Sequence, residues 1–462
     1  MKQIYIVILA CFCMLACHQQ PQQATSIDIE HYDLTQMKDS GVLTALTLNS
    51  SISYFDYRGE PMGFQYELAK QFAQSLGLKL EIKTARNTTE LVNMLLRGEG
   101  DLIAYPLPVT KQFKDSVTFC GEDIVTHQVL IQRNGTKSQK ALTNVTDLID
   151  KQVYAKPGKH LDRLTNLDKE LGGGILIQAV TNDSITNEDL MMQVSQGIID
   201  YAIGDDDLAR LNKTYYTNLN INLPISFDQR ASWAVRKTAP LLAQAADEWH
   251  KANATSPAYK ASAKKYFEMS KRLPHGPILS IKDGKISHFD HLFKKYAPKV
   301  DWDWRVLASL AYNESNFDTT AVSWVGAKGL MQLMPRTARA MGVPEGKEHD
   351  AEESVKAATK YLGQLARSFS KVTDPEEKVK FVLGAYNAGI GHVFDAMALA
   401  EKYGKNKYAW DDNVAIYILL KSNEEYFNDP VCKNGYFRGR ETFNFVKDIL
   451  GRAEMYKQKI PD

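Results

Sequence analysis

The chain predicts two folded units in series, an α/β unit followed by a mainly α-helical one. Three observations carry that reading. At 462 residues the chain is too long for one ordinary core, since a domain averages about 150 residues. From about Met37 to Met269, β-rich and amphipathic helical stretches alternate, whereas from Ile286 onward the pattern is mostly helical. Between them, Pro274, Gly276, Pro277 and Gly284 interrupt the helical pattern and mark a linker over 270–285. Composition is that of a globular protein, with 44% hydrophobic and 24% charged residues. A net charge of +1 without a basic stripe argues against nucleic acid as a partner.

The first residues read as a targeting segment. Lys2 supplies a positive start, Ile4 to Leu15 is apolar but too short to span a bilayer, and small Ala16 precedes Cys17. Met14-Leu15-Ala16-Cys17 resembles a bacterial lipobox. The resemblance implies a lipoprotein signal peptide over 1–16, lipidation of Cys17, and a membrane anchored by acyl chains rather than crossed. His18 in place of Asp favours the outer membrane, with the protein facing the periplasm. A plain secretory signal is the alternative. Residues 17–36, with their HQQPQQATS run, read as a tether. Past Cys17 only Cys120 and Cys432 remain, too few for a disulfide framework, and no HExxH or CxxC spacing occurs, so neither a metal nor a cofactor is expected.

Within the α/β unit, GVLTALTLNSSISYF is β-rich, and YRGEPMGFQYELAKQFAQSLGLKLEIKTA reads as turn, amphipathic helix and strand. Helix LVNMLLRGEG then gives way to strand DLIAY, and the alternation predicts a mostly parallel sheet. GFQYELAKQFAQSLGLKLE, LLRGEGDLIAYPLPVT and VSQGIIDYAIGDD resemble, in that order, the periplasmic solute-binding proteins for amino acids. The resemblance implies two lobes that close on a small ligand about a hinge. It places Tyr54 and Phe55 at an aromatic wall and Asp205 where a ligand amine pairs. Asp205 to Asp207 read equally as a solvated acidic turn. Where the family carries a carboxylate-binding arginine, PVTKQFKDS has Phe113, so a free α-carboxylate does not suit the site. A muropeptide from the cell wall is the alternative ligand.

In the second unit, the run WRVLASLAYNES sets Val306, Leu307, Leu310 and Ala311 at helical spacing and puts Glu314 near the end of a largely buried helix. Burial raises a carboxyl above its free value of roughly 4.3, which a general acid requires. Further helices are expected over HFDHLFKKYA, MPRTARAMG, AEESVKAATKYLGQLARSFS, EEKVKFVLGAYNAG, HVFDAMALAEKYG, NVAIYILL and ETFNFVKDILGRAEMYKQ, with Asp350 opening a capping box. Gly326 and Gly329 let backbone approach a sugar closely, Gln332 offers an amide, and Met331 and Met334 read as core fillers. Tyr386 and Asn387, in AYNAG at the end of an apolar helix, read as a half-buried ring and part of a helix C-cap.

ESNF at 314–317, SWVGAKGLMQLMP at 323–335 and AYNAG at 385–389 together resemble the soluble lytic transglycosylases and goose-type lysozymes. This implies a lysozyme-like catalytic domain over 286–462 that acts on peptidoglycan glycan strands. Glu314 is then acid and afterwards base, Ser315 orients it, and Gln332, Tyr386, Asn387 and Glu441 bind substrate. In the last segment Phe445 stands where the family has a tyrosine. The family's reaction cleaves the β-1,4 bond between N-acetylmuramic acid and N-acetylglucosamine without water, leaving 1,6-anhydro ends. A nucleophile already on the sugar can lower the barrier by about 7–11 kcal/mol in favourable intramolecular cases. A hydrolytic muramidase needs a second placed acid, for which Asp303 and Asp318 are nearby in sequence. A solute-binding lipoprotein with an inactive lysozyme-like domain requires loss of the acid, and Glu314 is present.

Overall fold

The computed structural model describes residues 31–135, 140–182, 185–269 and 284–460. The signal segment, Cys17 with most of the tether, and residues 270–283 of the linker lie outside the described residues. The folded unit starts slightly ahead of expectation. Asp33, assigned above to the tether, caps helix Leu34–Ser40 in a reciprocal box with Gln36, and it also accepts the backbone N–H groups of Leu241 and Leu242 at 2.9 and 3.0 Å.

The α/β unit consists of two five-stranded lobes. In chain order the strands are β1 (Val42–Leu48), β2 (Phe55–Tyr57), β3 (Glu60–Met62), β4 (Lys79–Ala85), β5 (Leu102–Pro108), β6 (Val117–Thr126), β7 (Gln128–Arg133), β8 (Gln152–Ala155), β9 (Leu176–Ala179), β10 (Tyr201–Asp205), β11 (Leu219–Pro224) and β12 (Gln229–Arg236). The first lobe is ordered β4-β1-β5-β12-β6 and the second β11-β7-β10-β8-β9. Chain passes between lobes twice, from β6 to β7 and from β11 back to β12. Those returning strands make the sheets mixed rather than mostly parallel: β12 runs antiparallel to β5 and β6, and β7 antiparallel to β10 and β11. The period of two along each strand fills both faces. Leu43 and Ala45 enter one core of the first lobe while Leu46 enters the other, and Val129 and Leu130 divide in the same way in the second lobe. Phe113 is buried in the first lobe.

The helical unit surrounds Trp304–Ser315, of whose twelve residues ten are buried. A helix apolar on nearly every side must be central. It packs on the last helix, Gly439–Lys459, where Ser309 Oγ donates to the Ile449 carbonyl at 2.9 Å. Helices Pro335–Met341, Ala351–Ser368, Pro375–Ala388, Ile390–Lys402 and Ala415–Leu420 complete the shell close to their expected bounds. Asp350 caps its helix by accepting the Glu353 N–H at 3.0 Å, although no reciprocal bond from Glu353 accompanies it. The short helix Glu424–Phe427 is an addition, because four residues carry no periodicity.

The helical unit is packed against both lobes. Glu188, in the second lobe, accepts from Ser51 Oγ of the first lobe at 2.6 Å and from Tyr436 OH of the helical unit at 3.0 Å, and lies 3.4 Å from Arg438. Arg438 lies over the Tyr215 ring at 3.9 Å and donates to Asn212 Oδ1 at 2.8 Å, while Arg440 pairs with Asp189 at 2.5 Å. Close packing sets Gly439 between them: a Cβ there would stand 1.6 Å from the Ile418 carbonyl oxygen. We predict that Gly439→Ala lowers thermal stability by about 1–3 kcal/mol through backbone displacement, read as a fall in Tm against wild type.

Candidate active site

Glu314 ends the central helix with its side chain 5% exposed. Asn316 and Phe317 follow at φ 55° and 63°, consecutive left-handed residues that stop the helix and turn the chain sharply back over it. The returning segment is fixed from several sides. Ser315 Oγ donates to the Leu330 carbonyl at 2.7 Å, and Tyr386 OH to the Met331 carbonyl at 2.7 Å. Gly329, at φ 73°, has no room for a side chain, since a Cβ would lie 2.3 Å from the Glu348 carbonyl oxygen. Gln332 is held at φ 46°, a costly conformation for a non-glycine residue, with its side-chain amide donating to the Ala321 and Gly329 carbonyls at 3.1 and 2.9 Å. Asn387 Oδ1 accepts from Thr442 Oγ1 at 2.5 Å.

One side chain comes from the other unit. Strands β2 and β3 form a hairpin whose two turn residues, Arg58 and Gly59, have φ 54° and 78°. Both values are positive, as a tight two-residue turn demands, and arginine is an unusual choice for the first position. The hairpin tip enters the helical unit. Arg58 Nη2 donates to Glu314 Oε1 and Oε2 at 2.9 and 3.2 Å, Nη1 to the Gln332 carbonyl at 3.0 Å, and Nε to the Asn387 carbonyl at 3.2 Å. His392, held neutral because burial pushes its pKa down to about 3, lies 3.3 Å from the Asp56 carbonyl at the hairpin base. Tyr57 packs against Trp324 with ring centroids 6.2 Å apart. A cleft of about 590 Å³ opens beside Arg58, lined by Glu314, Tyr312, Trp324, Asn387, Glu441 and Tyr215 among others.

Electrostatics at Glu314 are a contest. Burial raises its carboxyl above the ordinary glutamate value, and the Arg58 guanidinium acts against that rise. Burial also raises the Tyr386 phenol, with Glu314 adding to the rise.

The expected site residues fall into two places. Glu314, Gln332, Tyr386, Asn387 and Glu441 converge on the cleft region, although Gln332 and Tyr386 spend their donor groups on holding the loop. Ser315 anchors that loop as well and makes no bond to the Glu314 carboxyl. Glu441 pairs with Arg438 at 2.8 Å. Tyr54 packs edge-on against Tyr66 at 5.6 Å, and Phe55 opens β2. Asp205 is neither a free acidic turn nor an open amine site here: Lys159 lies 2.8 Å and His160 3.2 Å from it. Burial would raise this carboxyl, but His160 and Lys159 outweigh it and bring it down to about 2. Arg58 escaped the sequence reading because it lies 256 residues from its partner and Tyr-Arg-Gly-Glu reads as an ordinary polar turn.

Comparison with known proteins agrees with this division. Residues 43–269 match the model of bacterial extracellular solute-binding proteins, family 3, and residues 291–409 the transglycosylase SLT domain. Membrane-bound lytic murein transglycosylase F of Desulfosudis oleivorans is 31% identical over 430 residues, covering 92% of each chain. The chain belongs to the membrane-bound lytic murein transglycosylase F family. The same-named protein of Pseudomonas fluorescens strain Pf0-1 is 31% identical, over 90% of this chain and 85% of that one. Among solved structures, an ancestral cationic amino acid solute-binding protein aligns with 51% of this chain and 99% of its own, at 21% identity and a TM-score of 0.44. The chain is thus a lytic transglycosylase with a solute-binding-protein-like unit ahead of its catalytic one.

A pH effect follows from the contest at Glu314. Arg58 acts against the burial-driven rise of the Glu314 pKa, so Arg58→Ala removes that opposition and keeps the carboxyl protonated to higher pH. The alkaline limb of the activity profile is predicted to move upward in that variant, checked by initial rates on murein across pH.

Proposed function

We propose that the chain cleaves the β-1,4 bond between N-acetylmuramic acid and N-acetylglucosamine in murein without water, through Glu314, and that the first unit holds this activity in check through Arg58. In the forward step Glu314 gives its proton to the glycosidic oxygen as the C1–O bond breaks. The muramic C6 hydroxyl then closes on C1, and Glu314 recovers a proton from it, leaving a 1,6-anhydro end. Ser315, Gln332 and Tyr386 position the loop, and Asn387 and Glu441 line the cleft for the glycan. The observation that carries the reading is one deeply buried carboxyl at the cleft floor. A muramidase on this scaffold needs a second placed acid. Glu441 is engaged by Arg438, and Asp448, which also lines the cleft, is exposed.

The division proposed is a lipoprotein signal over 1–16, a tether over 17–36, a solute-binding-protein-like domain over 37–269, a linker over 270–285 and a catalytic domain over 286–462, with Asp33 to Gln36 packed on the first domain. Lipid on Cys17 anchors the mature chain to the outer membrane, facing the periplasm. A muropeptide or another small ligand of the first domain, at the Tyr54, Phe55 and Asp205 region, regulates cleavage. Two features support regulation. Arg58 fills the space among Glu314, Gln332 and Asn387 that a sugar must enter. Glu188 joins both lobes and the helical domain at one carboxylate, so movement of one lobe against the other strains the contact between domains.

A hydrogen bond to a charged group contributes about 1.5–3 kcal/mol net, so removing Arg58 is expected to raise murein turnover roughly tenfold or more. The test digests purified peptidoglycan with wild type, Arg58→Ala and Glu314→Gln, with mass spectrometry of the products. Anhydromuropeptides, more from Arg58→Ala and none from Glu314→Gln, are the expected result. Reducing-end products would make the enzyme a muramidase, and equal rates for wild type and Arg58→Ala would remove the restraint.

A further inference from the structure

We infer that the acceptors around Arg58 form a recognition site for planar nitrogen cations that belongs to the catalytic domain itself, able to take a free guanidinium or an amidine-bearing sugar analogue once the hairpin residue is gone. The inference rests on the proposed restraint only for which side chain fills the site now.

The acceptor set matches a guanidinium edge by edge. One edge faces the Glu314 carboxylate, one the Gln332 carbonyl and one the Asn387 carbonyl, all within 2.9–3.2 Å. The two carbonyl acceptors are set by the catalytic domain's own bonds, and the carboxylate by its place at the end of the buried helix. The Gln332 backbone is fixed at φ 46° with its amide tied to Ala321 and Gly329, and Asn387 is tied through its side chain to Thr442. The Tyr386 ring lies 5.9 Å from the guanidinium carbon, and its hydroxyl is turned away to Met331. Arg452, a second cation lining the cleft, is held on the Tyr312 ring at 4.2 Å and on Asn313 Oδ1 at 2.8 Å. A carboxylate and two preset carbonyls in a desolvated site favour a flat positive charge over a compact ammonium, which cannot present donors on three coplanar edges. Glycoside cleavage develops flat positive charge at the anomeric carbon, so the same acceptors suit the reaction's transition state better than its neutral ground state.

The experiment uses the full-length chain with Arg58→Ala, and Arg58→Gly as a second variant whose residue suits the positive φ of the turn. Murein turnover is measured with guanidinium chloride at millimolar concentration, far below the molar range that unfolds proteins. Urea and sodium chloride serve as neutral-shape and ionic-strength controls. The expected result is saturable inhibition by guanidinium of roughly fivefold or more in both variants, with little change from either control and an unaltered circular dichroism spectrum. Inhibition no greater than that by sodium chloride in both variants would overturn the site. The two readings separate: rates without additive test the restraint by Arg58, whereas the response to guanidinium tests the acceptors, whichever way the first result falls.

Discussion

The buried pair of Arg58 and Glu314 is the interaction on which the relation between the domains depends. Each partner is desolvated, and each is costly without the other, so withdrawing either leaves an uncompensated charge. A pair of this kind adds less to stability than to register: it fixes where the hairpin tip sits to within hydrogen-bond tolerance. The carboxyl that the proposed reaction needs in its protonated form is the same one whose burial-raised pKa the guanidinium opposes. The restraint proposed is therefore both steric and protonic, from one side chain.

Around that pair the architecture supplies stiffness. The hairpin is braced by Tyr57 on Trp324 and by His392 at Asp56, and the catalytic loop by Ser315, Tyr386 and the Gln332 amide. At the far side, Arg438 and Glu188 tie the helical domain to both lobes. A two-lobed domain that changes shape on a ligand can act on the cleft only if some contact feels both lobes and the catalytic domain, and Glu188 is such a contact. Asp205, already neutralised by Lys159, means that a ligand amine would have to displace a resident cation to bind there.

The two-domain order, the central helix and the position of Glu314 were legible because each rests on local pattern. The helix over Trp304–Ser315 follows from apolar spacing. The mixed sheets were not legible, since strand direction is set by which lobe the chain returns to and not by alternation within a strand. Ser315 illustrates a different limit: adjacency to Glu314 suggested contact with its carboxyl, whereas helix geometry turns neighbouring side chains apart and sends Ser315 to Leu330. Arg58 was invisible for the most general reason. Its contact with Glu314 exists only in the packing of the two units, and nothing in a short polar hairpin turn announces its partner.

The most direct measurement is the affinity of wild type and Arg58→Ala for an N-acetylglucosamine oligomer, a glycan without the lactyl group of muramic acid, by calorimetry on the full-length proteins under conditions in which the glycan is not cleaved. If Arg58 occupies the sugar's place, the variant binds roughly tenfold tighter or more. Equal affinities would show that glycan reaches Glu314 with the hairpin seated, and would contradict the account.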